Sequence, residues 1–286
     1  MKNIGLIKRR SERKGGEMGA QDISIIAIAS LLIFLIPIFW IGKKLSLQIN
    51  RETVISIARM SIQLAFVGFY LQYLFKFNNS YLNFAYLLIM IAVASVSVLH
   101  SANFKIIRFI LPTFVAILIP QVVMILFFNK FVANIENIFN AKYLVPVGGM
   151  LLGNCLKGNI IAMNSFWEGI RNSEKDYLYT LALGANRYQA LKPFVTRSIR
   201  AAVNPTLASI ATIGLVSLPG MMTGQILGGS VPLVAIKYQI AIMIAIFIAQ
   251  FFSVLLSVFF STKLGFDCYD MIKRSLFKTV MKKKYK

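Results

Sequence analysis

Seven apolar runs, each long enough to cross the hydrocarbon core of a bilayer as a helix, decide what this chain can become. They occupy residues 23–41, 60–77, 82–99, 110–128, 144–166, 205–227 and 234–260, and a crossing takes about 20 helical residues. None shows the roughly ten-residue alternation of a membrane barrel strand. Backbone amides in lipid must be satisfied within the chain, so each run is expected to be a helix. A composition of 57% hydrophobic and 14% charged residues over 286 positions agrees, since no soluble core uses that much apolar surface. The expected fold class is an all-α membrane protein, a polytopic bundle of about seven transmembrane helices.

Basic residues set the orientation. Lys43, Lys44 and Arg51 follow the first run, Lys105 and Arg108 the third, six basic residues lie between the fifth and sixth, and eight lie from Lys263 onward. The opposite connections hold only Lys76, then Lys130 and Lys142, then Lys237. The positive-inside rule therefore places the N-terminus outside and the C-terminus in the cytoplasm. Most of the formal charge of +21 is this inner-face charge, so it requires no nucleic acid partner. Six basic residues within 1–17 run against the orientation. The stretch Lys14-Gly15-Gly16-Glu17-Met18 back-translates to a purine-rich ribosome-binding sequence ahead of a start codon. Residues 1–17 are thus expected to be a non-native upstream extension, or else a basic arm on anionic lipid. The membrane domain is expected at 18–262 and a basic cytoplasmic tail at 263–286. Gly42-Lys43-Lys44 closes the first run as a stop-transfer flank does, so that run is kept as a span. Cys155 and Cys268 lie too far apart in this topology to be expected to pair.

The longest polar connection, residues 168–204, is expected to form two short helices around a glycine. Ser173 and Asp176 have capping-box spacing, and Leu178, Leu181 and Ala182 supply an apolar face. Gly184 suits the left-handed residue that ends such a helix, and Asn186 suits the cap of the next. The segment Leu183-Gly184-Ala185-Asn186-Arg187 resembles the cytoplasmic loop with a central Leu-Gly-Ala by which ABC-transporter permeases dock on their ATPase subunits. The chain has no phosphate-binding loop of its own, so ATP is expected only on a separate partner.

Pro219 and Gly220 interrupt the sixth run, where a break or kink is expected. Backbone freed at membrane depth is how many carriers build a pathway, and Met221, Met222 and Gln225 follow at once. With Gln63, Asn154 and Lys157, polar residues inside apolar runs, these eight positions are the pathway candidates. Glycines 220, 224 and 228, and 149 and 153, form small-residue ridges suited to close helix approach. No Asp or Glu lies deep in a run, which weakens a proton-coupled carrier and leaves any metal ligands undefined. Met150 and Met163 add only soft sulfur contacts, and His100 stands alone at a span end. Paired carboxylates, a histidine cluster and a Ser–His or Cys–His pair are all missing from the runs, so no catalytic residue is expected and the chain is not expected to be an enzyme.

Several segments carry a more specific likeness: Arg59-Met-Ser-Ile-Gln-Leu-Ala-Phe-Val-Gly68, Val145-Pro-Val-Gly-Gly-Met-Leu-Leu-Gly-Asn154, Ser198-Ile-Arg-Ala-Ala202, Gly214-Leu-Val-Ser-Leu-Pro-Gly-Met-Met-Thr-Gly224 and Ala235-Ile-Lys-Tyr-Gln-Ile240. Together they resemble the FetB-type permeases, described as bacterial iron-export ABC permeases with plant relatives linked to aluminium tolerance. The resemblance implies a multi-pass permease of the bacterial inner membrane, paired with a second copy of itself and a cytoplasmic ATPase, binding no cofactor and exporting iron or another metal. An ABC permease for a non-metal solute stays open beside it, since Lys157 in the polar turn of the fifth run repels a bare cation. An ATP-independent secondary carrier is the remaining alternative.

Overall fold

The computed structural model describes residues 23–47, 49–102 and 104–273; the basic N-terminal segment 1–17 and the end of the tail lie outside them. Nine helices carry the described residues, with no strand among them. We label them α1 (Ile25–Lys44, with a 3-10 turn at Leu31–Phe34), α2 (Ile49–Phe77), α3 (Ser80–Ser101), α4 (Ile106–Phe127, ending in a π turn at Phe128–Val132) and α5 (Ala141–Asn172). After them come α6 (Glu174–Ala182), α7 (Arg187–Thr212), α8 (Gly220–Leu227) and α9 (Pro232–Gly265). Six of these, α1 to α5 and α9, are long and apolar enough to cross a membrane.

The run 205–227 is not a single helix. Its first part ends α7, residues 213–219 leave the helical path, and α8 begins at Gly220. Gly214 takes a left-handed φ of +86° and its amide donates to the Ser217 carbonyl at 3.0 Å. Pro219 offers no amide and disfavours a helical residue before it. The break expected at Pro219-Gly220 is therefore present and starts six residues earlier than Pro219, at Ile213.

The chain divides into two compact units. One holds the described residues up to Phe77 together with Gly220–Ala235. Within it α1 and α2 form a hairpin: the Asn50 side-chain amide donates to the Phe39 carbonyl at 2.8 Å, and Gly42 is buried with the Asn50 side chain occupying the space a Cβ would take. Their apolar surface is otherwise almost wholly uncovered by the chain, as lipid contact requires.

The other unit, Asn78–Pro219 with Ile236 onward, holds the core. There α3, α4 and α5 pack together and α7 lies along α5. Buried amides tie the helices to one another. Gln121 of α4 donates to the Gly148 carbonyl of α5 at 2.7 Å, and Asn159 of α5 donates to the Ser253 hydroxyl of α9 at 2.8 Å. Gln250 of α9 donates to the Ala202 carbonyl of α7 at 2.9 Å and accepts from Thr206 at 2.6 Å. In an apolar interior an unpaired amide is costly, so these bonds hold helix register as well as adding stability.

The close helix approaches use other glycines than the predicted ridges. Among the described residues outside each glycine's own helical turn, no atom stands within 4 Å of a Cβ built at Gly153, Gly220 or Gly224, and at Gly149 only the Met90 methyl does, at 3.7 Å. Gly148, Gly158 and Gly265 instead make room for Leu87 and Ile125, for Gln250, and for Trp167.

Candidate functional site

The elbow between α5 and α7 is where local sequence and tertiary packing meet. Leu183, Gly184 and Ala185 turn the chain after α6, with Gly184 at φ +90°, a region open to glycine and strained for other residues. Asn186 then caps α7: its side chain accepts from the Gln189 amide at 2.9 Å and the Gln189 side chain accepts from the Asn186 amide at 2.9 Å. This reciprocal capping box makes the turn rigid. Two expectations for the elbow are corrected. Ser173 precedes α6 but makes no side-chain cap bond, because its backbone (φ −120°, ψ 35°) is not that of a capping residue. The second helix is not short either, since α7 continues unbroken to Thr212.

Below the turn, α6 and α7 are clamped to the end of α9. Tyr177 is 1% exposed and donates its hydroxyl to the Asp270 carbonyl at 2.9 Å. Arg187 places one guanidinium nitrogen 3.3 Å from the Asp270 carboxylate, donates from another to the Thr262 carbonyl at 3.1 Å, and lies 5.0 Å over the Phe266 ring. Phe266 stacks on Trp167, whose other neighbours include Phe104 and Phe166. Past α9 the chain forms a tight turn in which the Asp267 carboxylate accepts from the amides of Tyr269 and Met271. The start of the tail is thus folded onto the core rather than free. Burial first, then the negative Asp270, pushes the Tyr177 phenol up to about 12, with Arg187 pulling the other way.

The outer surface of the elbow is apolar and uncovered. Tyr179, Leu183 and Tyr188 are 67%, 70% and 75% exposed, and a groove of about 310 Å³ opens beside Tyr188 between α7 and α9. Of the five loop residues singled out by sequence, Leu183, Gly184 and Asn186 face outward, Ala185 is half-buried, and Arg187 turns inward to hold Asp270. Tyr177, Phe266 and Asp270 were missed. Their only sequence signal is aromatic and acidic character near two helix ends, and nothing local says that those ends meet.

The eight pathway candidates fall in both units. In the first, Gln63 and Gly220 are exposed, Met221 and Met222 half-buried, and the Gln225 side-chain oxygen is shielded from solvent without a hydrogen-bond partner among the described residues. In the second, the Asn154 amide donates back to the Met150 carbonyl of its own helix at 2.9 Å, Lys157 is exposed on the side of α5 away from its core face, and Pro219 is half-buried. Cys155, by contrast, is buried and, like Cys268, free. Among the described residues no three His, Cys, Asp or Glu side chains gather as a metal site would need.

Comparison with known proteins adds the family. Residues 24–266 match the Uncharacterised protein family (UPF0014). The chain is 31% identical over 229 residues to the "Probable iron export permease protein FetB" of Escherichia coli, covering 79% of this chain and 85% of that one. It is 33% identical over 220 residues to "Protein ALUMINUM SENSITIVE 3" of Arabidopsis thaliana, covering 76% and 77%. It is 27% identical over 219 residues to the "UPF0014 membrane protein YjkA" of Bacillus subtilis, covering 76% and 86%. No solved structure matches the chain. With the family description spanning most of its length and an all-helical, membrane-spanning fold beneath it, this chain belongs to the UPF0014 family of membrane proteins.

Proposed function

We propose that the chain is the permease subunit of an ABC-type transporter, working as a homodimer in the bacterial inner membrane with a separate cytoplasmic ATPase. The observation that carries this reading is the elbow: an exposed apolar knob of Tyr179, Leu183 and Tyr188 on a turn locked by a capping box and clamped to α9 through Arg187. A knob so held can enter a cleft of a partner and pass its movement to two long helices as a rigid body. A surface lying passively on lipid has no need of the clamp.

Seven crossings and an outside N-terminus fit if α7, whose last part lies in the apolar run 205–227, makes the sixth crossing. Gly169 of α5 meets Phe194 of α7, and the Ala202 and Thr206 level of α7 meets the Gln250 that fills the space at Gly158. α7 therefore runs antiparallel to the span α5, and its basic residues are what keep it from reading as an apolar crossing.

Iron is the cargo suggested by the name of the E. coli relative, and another metal is the broader form of that reading. A non-metal solute is the second reading, favoured by the exposed Lys157. The deciding experiment reconstitutes the permease with its partner ATPase in lipid and measures ATP hydrolysis with and without ferrous iron. Hydrolysis that requires both permease and iron supports the whole reading. Permease-dependent hydrolysis indifferent to iron keeps the ABC assignment and rejects the metal, and the lack of any complex with an ATPase overturns the assignment in favour of a secondary carrier.

A further inference from the structure

One face of α7 is built for charge. Leu191, Ser198, Ala202 and Thr206 are buried, while Lys192, Thr196, Arg200 and Asn204 follow one another at four-residue steps on the opposite side, all exposed. Arg197 lies beside them, and together these residues make an open basic face of α7. At 1.5 Å rise per residue the line from Lys192 to Asn204 extends about 18 Å.

No carboxylate pairs with the three cations among the described residues. None of Lys192, Arg197 and Arg200 makes an ion pair or side-chain hydrogen bond among the described residues. The sequence contains no Asp or Glu between Asp176 and Asp267, so α7, α8 and α9 supply no carboxylate. On α5, which packs along α7, the sole carboxylate is Glu168, whose charge acts on Arg171. Asp270 is engaged by Arg187. Arg197 and Arg200 stand three residues apart on one helix face, where like charges repel, and a bound anion relieves that repulsion. Guanidinium groups present paired N–H donors matched to phosphate and carboxylate oxygens, and the Thr196 hydroxyl and Asn204 amide add neutral partners.

We propose that this face of α7 is a binding site for an anion bearing two or more phosphate or carboxylate groups. The same charges repel a bare divalent cation. The anion reaches the site either as a soluble solute, which is cargo only if the transport reading above holds, or as the headgroup of an anionic lipid. The chemistry is shared and the source is separable.

The test uses the full chain alone, in nanodiscs of phosphatidylcholine, with pyrophosphate and citrate as probes and ferrous ion as the cationic control. Saturable binding of either anion is expected, weakened about tenfold or more by Arg197→Gln/Arg200→Gln and weakened by added salt, with Arg197→Lys/Arg200→Lys intermediate. If the double variant does not insert, Arg200→Gln alone serves. A parallel arm replaces part of the lipid with phosphatidylglycerol and follows retained lipid by native mass spectrometry. Retention lost in the Gln variant, with no soluble anion bound, supports the site with the headgroup as its ligand. No anion of either kind held by the wild type, or binding unchanged by the substitutions, overturns the proposal. No ATPase enters the assay, so failure of the transport reading and failure of this one are told apart.

Discussion

Arg187, the first residue of α7, reaches 3.3 Å from the carboxylate of Asp270, which lies beyond the end of α9. The contact joins the elbow to the last membrane helix across 83 residues of sequence. Both side chains are about one-third exposed, so the ion pair itself is worth about 0.5–1 kcal/mol after screening. The bond to the Thr262 carbonyl and the Phe266 ring face raise the total for Arg187 to about 1–3 kcal/mol. Arg187→Ala is expected to lower the thermal midpoint in detergent by a few degrees and to reduce permease-stimulated ATP hydrolysis more than it reduces partner binding. Asp270→Asn, which keeps a residue tolerant of the positive φ of 59°, is expected to show a milder version of both. Unchanged stimulation in Arg187→Ala would remove the clamp from the mechanism.

Tyr177 gives the clamp a pH dependence with a definite sign. Its phenol is pushed up to about 12 in the folded protein, chiefly by burial, whereas an unfolded tyrosine titrates near 10. The folded state therefore holds the proton more tightly, so the contribution is complete below about pH 10 and is lost as pH rises toward 12. The stability advantage of the wild type over Tyr177→Phe, followed by thermal unfolding in detergent, is expected to be flat from pH 7 to about 10 and to shrink above it. An advantage that instead grows with pH would show that the hydroxyl bond is not what Tyr177 contributes.

Gly184 tests the docking role. At φ +90° with open space around it, a side chain there meets no neighbour, and the penalty is backbone strain of about 1–2 kcal/mol. Gly184→Asp adds to that strain a charge on the exposed apolar knob. Membrane insertion is expected to be retained and ATPase co-purification lost; a variant that co-purifies and transports normally would place the contact elsewhere.

Gly158 and Gln250 form a coupled pair. A methyl at Gly158 meets the Gln250 side chain at contact distances down to 2.5 Å, and displacing that amide breaks its bonds to Ala202 and Thr206. Gly158→Ala is expected to cost about 1–3 kcal/mol, the scale for orphaned buried polar groups. In Gln250→Ala the space is vacant, so adding Gly158→Ala there should cost much less. Additive losses in the double variant would refute the coupling.

The identity of the long helices was legible because each crossing must satisfy its own backbone, which leaves the run lengths in 23–41, 82–99 and 234–260 a single solution. The turn chemistry at Gly184 and Asn186 was legible for the same local reason: a left-handed residue followed by a capping side chain needs no distant partner. Ser173 shows the limit of that logic, since the spacing for a capping box is present but the backbone leaving α5 never takes the capping conformation. At 205–227 run length alone does not show the division of the apolar segment between two helices, which Gly214 and Pro219 impose.

What the sequence determined by itself is therefore everything whose energetics closes within about one helical turn or one bilayer crossing: helix type, the break before Gly220, the elbow and its cap. Only the tertiary structure decided which side chains meet. It made Gly265 and Gly158 the tight approaches rather than the regular glycine ridges, sent Arg187 inward to Asp270, and left Lys192, Arg197 and Arg200 together on an uncovered face. Those outcomes depend on the register of helices far apart in the chain, which buried amides such as Gln121, Asn159 and Gln250 set through bonds that no local pattern of residues encodes.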